Sequence, residues 1–482
     1  MARSILGSGG IILTSHLQAC NKLDDFLGDG GTDDRIPRFL HGVGSFDPTA
    51  NAVIIWTRIT PTEDEVGKMI PIKWQVATDA SFGNIVKEGI YECSMVNDFT
   101  VVEDVTGLSS NGTFYYRFIQ EDLKVESVVG ETITLPGAGT SLSSVRLAVC
   151  SCSNYPAGAF NVYDAIANSD ADVVLHLGDY IYEYGEGGYG TNENTEALNR
   201  VHDPKTEILS IEDYRLRYRQ YRTDDGLQLA HQKKPFIVVW DDHEITNDAY
   251  NEGAENHDDS EGSYQERKRR AIQVHGEYLP VRTNDGNIIY RNFEFGNLVN
   301  LVMLDTRIIG RDKQLSFGDY FMADGSFDFT TFVAALQDPG RNLMGPEQLA
   351  WVSGAIGSSS STWQVIGQQV LMAKMFVPAE LLIGIGAVAS GNATPEVFQQ
   401  LLQTITELST LKGRALQNDP TLTPEELARI NTVIPYNLDA WDGYPVEREK
   451  LFALLRGKNN LVLAGDTHNA WNSNLIDASG TK

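Results

Sequence analysis

Cysteine is scarce in this sequence. The 482 residues include four cysteines, at positions 20, 93, 150 and 152. Four cysteines in a chain of this length do not make a disulfide framework. Cys150 and Cys152 are too close together for an ordinary disulfide, and in an extended strand they would point to the same face. The class of small disulfide-stabilised domains is therefore excluded.

Basic residues are also in short supply. The chain has 38 Lys and Arg against 65 Asp and Glu, a formal net charge of -27 and a pI near 4.7. Such an acidic surface repels nucleic acid, membrane phosphates and phosphorylated ligands alike, so we expect no nucleic acid binding. A phosphorylated ligand would need a local source of positive charge, which bound metal cations supply. The alternative is that the acidity only keeps the protein soluble.

Long apolar runs are missing as well. Ile5–Leu17 is too short and too broken for a transmembrane helix, and no later segment is longer without charges. The tetrapeptide that ends at Cys20 resembles a bacterial lipoprotein cleavage site, which predicts a lipidated Cys20 that tethers the chain to a membrane. The alternative is a disordered leader with an ordinary cysteine. We interpret residues 1–34 as a lipoprotein signal and linker, and expect an extracytoplasmic protein in the periplasm, at the cell surface or secreted.

The segment 35–137 has the pattern of an all-β domain. β-branched and aromatic runs such as Ala52–Arg58, Ile70–Val76 and Thr113–Ile119 alternate with Asn, Gly and Pro clusters at short, regular spacing. This pattern predicts an N-terminal sandwich of the immunoglobulin or fibronectin class. The segment holds no cluster of ligand-type residues, so we assign it no chemistry.

From residue 143 to 482 the pattern changes to strand, helix, strand. Apolar segments end repeatedly in polar residues, as at Cys152, Gly178–Asp179, Asp241–Glu244 and Gly465–His468. The same holds at Asp305–Arg307 and at Gln368–Gln369. In α/β sheets, ligands bind outside the carboxyl ends of the strands. A single Asp at such a position is more often a helix cap or a turn residue.

Gathered at one sheet edge, these residues have the composition of a metal site: Cys152, Asp179, Asp242, His243, Gln368, Asp466 and His468. Tyr182 adds a phenolate if the turn after Asp179 swings it inward; otherwise it is a core aromatic. Two cations about 4 Å apart would need one bridging carboxylate and separate terminal ligands. Thiolate, phenolate and imidazole favour a ferric or similar ion, whereas Asp and Gln oxygens favour a hard ion such as calcium.

Seven motifs together resemble the alkaline phosphatase D (PhoD-like) family of metallophosphoesterases. They are Ser151–Gly158, His176–Tyr184, Tyr214–Tyr218, Trp240–Glu244 with Asn247, Leu304–Arg307, Trp441–Tyr444 and Gly465–His468. The N-terminal segment is similar to that family's leading domain through Leu40–Pro48 and Tyr115–Arg117. The resemblance implies a two-sheet α/β sandwich that follows the β domain, and hydrolysis of phosphomonoesters and often phosphodiesters.

The resemblance also implies a site with Fe³⁺ and Ca²⁺. Cys152, Asp179, Tyr182 and His468 would hold iron, with Asp179 bridging to the second metal. The matches for that hard ion are Asp242, Gln368 and Asp466. His243 matches the position that contacts the phosphoryl group in related phosphoesterases. Two roles stay open, because Arg307 either binds substrate oxygens or forms a structural ion pair, and Asp241 is either a ligand or a support for one.

The chain departs from the family pattern at both ends. No Arg-Arg pair precedes the apolar leader, so a twin-arginine signal is unsupported. Family members usually continue well beyond the position of His468, which predicts that the chain is incomplete at its C-terminus. A helix-forming stretch at about 376–435, with a helix start at Thr423–Glu426, looks like an insertion. It forms either a lid over the site or a solvated helical hairpin.

Three functions are compatible with these residues. The first is a phosphomonoesterase, and the second is a phosphodiesterase or phospholipase D-like hydrolase with the same metal site. The third is a non-catalytic surface lipoprotein that binds calcium or phosphate. An intact His243 argues against the third, because a pure binding site has little use for an unligated acid. No P-loop, dinucleotide fingerprint or Gly-x-Ser-x-Gly elbow indicates another enzyme class.

Overall fold

The computed structural model describes residues 37–283, 285–324, 326–382, 385–386 and 394–481. The predicted signal and linker at 1–34, with Cys20, lie outside these residues. No helix in the described ranges is both long enough and apolar enough to cross a membrane.

The N-terminal segment is all-β, as predicted. Its strands are β1 (Val43–Phe46), β2 (Ala52–Arg58), β3 (Ile70–Ala77), β4 (Ile85–Cys93), β5 (Thr100–Thr106), β6 (Thr113–Gln120), β7 (Val125–Glu126) and β8 (Gly130–Ile133). One sheet has the order β4-β3-β6-β7, with β8 also paired to β6. Its inner face packs on β2 and β5 through a core that includes Val53, Ile72 and Phe118. The segment is therefore a sandwich of two packed layers.

The second layer of this sandwich continues into the rest of the protein. A six-stranded sheet has the order β5-β2-β1-β11-β10-β9, and β1 pairs in parallel with β11. In β2, Val53 and Ile55 face the N-terminal core, whereas Ile54 and Trp56 face the main core. Both faces of β2 are covered, which explains its continuous apolar run. The predicted boundary between 137 and 143 therefore separates chain segments that share one sheet.

The larger part of the chain alternates strands and helices. Its strands are β9 (Leu147–Cys150), β10 (Val173–His176), β11 (Pro235–Val238), β12 (Arg291–Phe295), β13 (Val299–Met303), β14 (Trp363–Gly367), β15 (Phe376–Pro378), β16 (Val433–Pro435) and β17 (Asn459–Leu463). Its helices are α1 (Asn161–Ala167), α2 (Ile211–Tyr221), α3 (Asp225–Lys233), α4 (Tyr264–Tyr278), α5 (Phe329–Leu336), α6 (Gly345–Ser358), α7 (Pro395–Leu416), α8 (Pro424–Asn431) and α9 (Pro445–Leu455). A two-sheet α/β sandwich is confirmed.

The second large sheet has the order β12-β13-β14-β17, with β13, β14 and β17 parallel. Leu301 and Met303 of β13 pack into the main core against the first sheet. Val302 points the other way, into an apolar cluster with Val352 of α6 and Leu451 of α9. The alternation along β13 thus buries one face on the opposite sheet and the other under helices.

The predicted insertion is a helical hairpin between two short strands. β15 and β16 pair as an antiparallel ribbon, and α7 and α8 lie between them in the chain. Helix α8 begins as predicted, with Thr423 as its N-cap, Pro424 in the first turn and a capping box to Glu426. Leu408 and Leu411 of α7 pack on Ile430 of α8.

Buried histidines make the stability of this fold depend on pH. His275 of α4 is 1% exposed, and burial lowers its pKa from 6.5 to about 3. The folded protein therefore holds the neutral ring, while the unfolded chain takes up a proton below about pH 6.5. Stability is full above that pH and is lost as the pH falls toward the folded pKa. Between pH 7 and pH 5, His275 alone should cost about 2 kcal/mol.

The variant His275→Gln isolates this contribution. We expect the free energy of unfolding of the unsubstituted protein to fall by about 2 kcal/mol more than that of the variant between pH 7 and pH 5. Urea denaturation at the two pH values measures the difference. Equal pH dependence in the two proteins would contradict the assignment.

Candidate metal centre

The two sheets bring their functional strand ends to one place. Cys152 follows β9, Asp179 follows β10, and Asp466 and His468 follow β17. All four have left-handed backbone conformations, with φ of 61°, 56°, 64° and 51° respectively. A residue other than glycine in this conformation costs about 1–3 kcal/mol and persists only where its surroundings enforce it. Such conformations concentrate at functional sites, and here four of them converge from three strands.

The first group of ligand-type atoms contains Cys152, Asp179 and His468, whose donor atoms lie within 4.8 Å of one another. The Tyr182 hydroxyl joins them, 3.2 Å from Oδ2 of Asp179 and 3.0 Å from Nε2 of His468. We call these four residues the cysteine cluster. Burial and the neighbouring Asp179 raise the pKa of the Cys152 thiol far above its usual value. A cation among these residues would supply the charge that favours the thiolate.

The second group contains Asp241, Asp242 and Asp466, whose carboxylate oxygens also lie within 4.8 Å of one another. We call it the carboxylate cluster. Burial raises the pKa of Asp466 to about 7, and the neighbouring carboxylates, Asp439 and Asp242 first among them, add to the shift, which Arg307 opposes. Oxygen donors of this kind suit a hard cation.

Three buried carboxylate oxygens indicate whether the two clusters could hold cations. Oδ1 of Asp179, Oδ2 of Asp241 and Oδ1 of Asp242 have no hydrogen-bond partner among the described residues. A buried carboxylate oxygen without a partner costs several kcal/mol, so native proteins rarely keep one unsatisfied. Three of them, next to a thiol, a phenol and an imidazole, fit bound cations. A carboxylate oxygen of Asp179 also lies within 4.8 Å of ligand-type atoms of Asp242 and His243, so Asp179 stands between the two clusters.

Arg307 is enclosed by carboxylates. It is fully buried, its Nε donates to Asp241, and its two terminal nitrogens donate to Asp439 at 2.8 Å and to Asp466 at 2.7 Å. These ion pairs raise the pKa of Arg307 against the effect of burial, so it stays charged. Of its two predicted roles, the geometry favours the structural ion pair, because the guanidinium is used to hold the carboxylate cluster together.

Gln368, a predicted ligand of the hard ion, has hydrogen-bond partners at both ends of its side-chain amide. Its Oε1 accepts a hydrogen bond of 3.0 Å from Nε1 of Trp441, and its Nε2 donates to the carbonyl of Val370. Both ends of the amide are therefore occupied in a packed, fully buried position. We leave Gln368 out of the ligand set proposed below, and Asp241, whose Oδ2 is unpartnered, takes its place.

His243 is held by a carboxylate that the sequence analysis did not single out. Its Nδ1 lies 2.7 Å from Oε2 of Glu183, which is itself fully buried. Glu183 also accepts hydrogen bonds from the backbone of Asn247 at 2.8 Å and the side chain of Asn256 at 3.0 Å. Burial opposes protonation, but Asp242 and Glu183 outweigh it and raise the pKa of His243 well above its usual value. His243 thus lies beside Asp179 and Asp242, with its Nδ1 occupied by Glu183.

Two more residues of the site were not predicted from the sequence. Glu244 accepts hydrogen bonds from the backbone nitrogens of Asp179 at 3.1 Å and Asp241 at 2.6 Å, and so holds both turns. Burial, reinforced by Asp179, raises the pKa of Glu244 to about 8. The other is Asp439, which pairs with Arg307 and Arg311. Glu183 and Glu244 stand inside motifs already recognised, but nothing in the local sequence distinguishes Asp439.

Two packed sheets that present this paired cluster at their strand ends define an α/β protein of the metallophosphoesterase fold class. The model for the family described as PhoD-like phosphatase matches residues 147–481, and the model for the N-terminal domain of PhoD-like phosphatases matches residues 29–136. The chain belongs to the PhoD-like phosphatase family. The resemblance read from the motifs is thus confirmed.

Two relatives show how far the similarity extends. Alkaline phosphatase D of Bacillus subtilis (strain 168) is 32% identical over 450 residues, which cover 91% of this chain and 65% of that protein. A solved structure of PhoD is 30% identical and superposes with a TM-score of 0.71, covering 92% of this chain and 75% of that one. This chain thus spans 65% of the length of the Bacillus subtilis relative.

Proposed function

We propose that this protein hydrolyses phosphate esters by metal-dependent catalysis, with phosphomonoesters as substrates and phosphodiesters as a second class. The observation that carries the proposal concerns Asp179, Asp241 and Asp242, each of which has one buried oxygen without a hydrogen-bond partner in the described part of the chain. Their carboxylates belong to the groups of ligand-type atoms that also include Cys152, His468 and Asp466. Membership of the PhoD-like phosphatase family supports the same reaction.

We assign Fe³⁺ to the cysteine cluster and Ca²⁺ to the carboxylate cluster. Cys152, Tyr182 and His468 offer soft or borderline donors, which suit a transition ion. Asp242, Asp466 and the free oxygen of Asp241 offer hard donors, which suit calcium. Asp179 has two oxygens and lies between the clusters, so it would bridge the ions. Bound cations would activate water and neutralise the charge of the phosphoryl group.

The residues of the chain itself supply the rest of the chemistry. His243, fixed at Nδ1 by Glu183, donates a proton or a hydrogen bond from its other ring nitrogen to a phosphoryl or leaving-group oxygen. Arg307 keeps the carboxylates of the second cluster together and does not bind substrate, since its Nε, Nη1 and Nη2 each already donate to a carboxylate. Glu244 holds the two turns that present Asp179 and Asp241.

We further propose an extracytoplasmic location with a lipid tether at Cys20. The support is the Leu17–Cys20 sequence after a short apolar stretch. The net charge of -27 argues against a nucleic acid as the partner, and membership of the PhoD-like phosphatase family supports a small phosphate ester.

Assays of p-nitrophenyl phosphate and bis-p-nitrophenyl phosphate, with and without a chelator, test the proposal. We expect chelator-sensitive hydrolysis of the monoester, and visible absorption from ferric iron bound by thiolate and phenolate. Hydrolysis of the diester alone would indicate a phosphodiesterase. Metal binding without hydrolysis of either ester would indicate a binding protein. A colourless, iron-free preparation with full activity would disprove the iron assignment.

A further inference from the structure

Tyr189 contacts the cysteine cluster from outside. Its hydroxyl lies 2.8 Å from Nδ1 of His468, while Nε2 of the same ring lies 3.0 Å from the Tyr182 hydroxyl inside the cluster. The rings of Tyr189 and His468 are stacked, with centroids 5.7 Å apart and planes 19° apart. The two nitrogens of His468 thus face opposite environments, one toward the cluster and one toward Tyr189.

The loop that carries Tyr189 is tied to the segment after Cys152. The side-chain amide of Asn154 donates to the carbonyl of Tyr189 at 3.2 Å. The next residue, Gly190, has φ of +89°, and a Cβ there would lie 2.1 Å from Oδ1 of Asn154. A side chain at Gly190 would therefore disrupt this contact. The loop links the Cys152 end of the site to the His468 end.

A histidine that binds a metal through one ring nitrogen carries its proton on the other. The partner of that second nitrogen sets the tautomer and orients the ring, and removing such a partner typically costs 10- to 100-fold in metal affinity. Among the described residues, the hydroxyl of Tyr189 is the hydrogen-bond partner of Nδ1 of His468.

We propose that Tyr189 is a positioning residue for the metal at the cysteine cluster. Its oxygen accepts the Nδ1 proton of His468, which leaves Nε2 free to bind the cation. Its ring also lies beside the ring of His468, whose side chain is 35% exposed. This inference rests on the proposed metal site. It assigns a role to Tyr189, which lies outside the seven motifs.

Cobalt provides a probe specific for this cluster. Co²⁺ bound by the Cys152 thiolate gives a thiolate-to-cobalt absorption that carboxylates cannot produce. Titration of metal-free protein with Co²⁺, followed at this band, gives the dissociation constant. The variants are Tyr189→Phe, which removes the hydroxyl alone, and Tyr189→Ala, which removes the ring as well. The matched control is Tyr436→Phe, because Tyr436 is as exposed as Tyr189 (54% against 52%) and lies outside both clusters.

We expect Tyr189→Phe to raise the Co²⁺ dissociation constant about 10- to 100-fold, with an unchanged melting temperature of the metal-free protein. Tyr189→Ala should weaken binding at least as much, and Tyr436→Phe should bind as the unsubstituted protein does. Normal affinity in Tyr189→Phe would overturn the proposal, including the case in which only Tyr189→Ala is weakened. If the unsubstituted protein shows no thiolate band, the proposed metal site itself fails and this inference fails with it.

Discussion

Replacing Asp179 with alanine is expected to remove metal from both clusters and to lower phosphate ester hydrolysis by at least about a thousandfold, or about 4 kcal/mol in activation free energy. The reason is its position. Asp179 lies within ligand distance of Cys152 and His468 on one side and of Asp242 on the other. A carboxylate between two cations also screens their repulsion, so its loss should affect both ions and not one.

Metal content per chain and the rate of p-nitrophenyl phosphate hydrolysis measure this prediction. The matched control is Asp170→Ala, because Asp170 precedes the same strand, β10, but its side chain is 83% exposed. An exposed ion pair of this kind contributes about 0–1 kcal/mol to stability, so the control should keep its metal and its activity. An Asp179→Ala protein that retained either cation in full would exclude a bridging role.

Replacing His243 with alanine should have a different result, with both metals retained and turnover lowered by about 10²- to 10⁴-fold. Glu183 occupies Nδ1 of His243 at 2.7 Å, which leaves the other ring nitrogen to act on a substrate oxygen. We propose that this nitrogen donates a proton or a hydrogen bond and does not bind a cation, so we expect the loss in kcat rather than in metal content.

The comparison protein for His243→Ala is His257→Ala. His257 also pairs with a glutamate, Glu261, at 3.1 Å, but it belongs to neither cluster. Metal analysis together with steady-state kinetics of the two variants separates a local effect at the site from a general one. Loss of metal from His243→Ala would make His243 a ligand, and an undiminished kcat would remove it from the reaction.

The strands could be predicted from the sequence because runs of apolar residues indicate buried segments. β10 and β13 are covered on both faces and are mostly apolar in sequence, and the polar residues after β9, β10, β11 and β17 do meet. Parallel strands in one sheet must end on the same side, so the meeting of Cys152 after β9 with Asp179 after β10 follows from the topology of the first sheet. Asp466 follows β17 of the second sheet, and only the packing of the two sheets brings it to them. The ligand roles of these residues remain predictions.

Gln368 remains a predicted ligand whose amide has other partners in the structure. It follows β14 directly, and its residue type suits a hard ion. Successive side chains along an extended segment point to opposite sides, however, so position after a strand does not say which way a side chain points. Gln368 turns to Trp441, and its amide is used there.

Contacts between segments far apart in the chain were the hardest to predict from the sequence. Asp439 reaches Arg307 across 132 residues of sequence, and Glu183 reaches His243 across 60. The pairing of β1 with β11, which joins the N-terminal sandwich to the main sheet, is equally nonlocal. Local composition carries no information on which carboxylate will meet which cation, because that depends on how the sheets pack.

The sequence by itself determined the elements, the order in which they follow one another and the residue types at the strand ends, since local propensity and burial periodicity act along the chain. Tertiary structure alone decided that the two halves share a sheet and that Arg307 faces the carboxylates of Asp241, Asp439 and Asp466. It also decided that one oxygen on each of Asp179, Asp241 and Asp242 has no hydrogen-bond partner among the described residues. The physical reason is that desolvation and charge pairing depend on what surrounds a group in space, and those neighbours come from segments far apart in the chain.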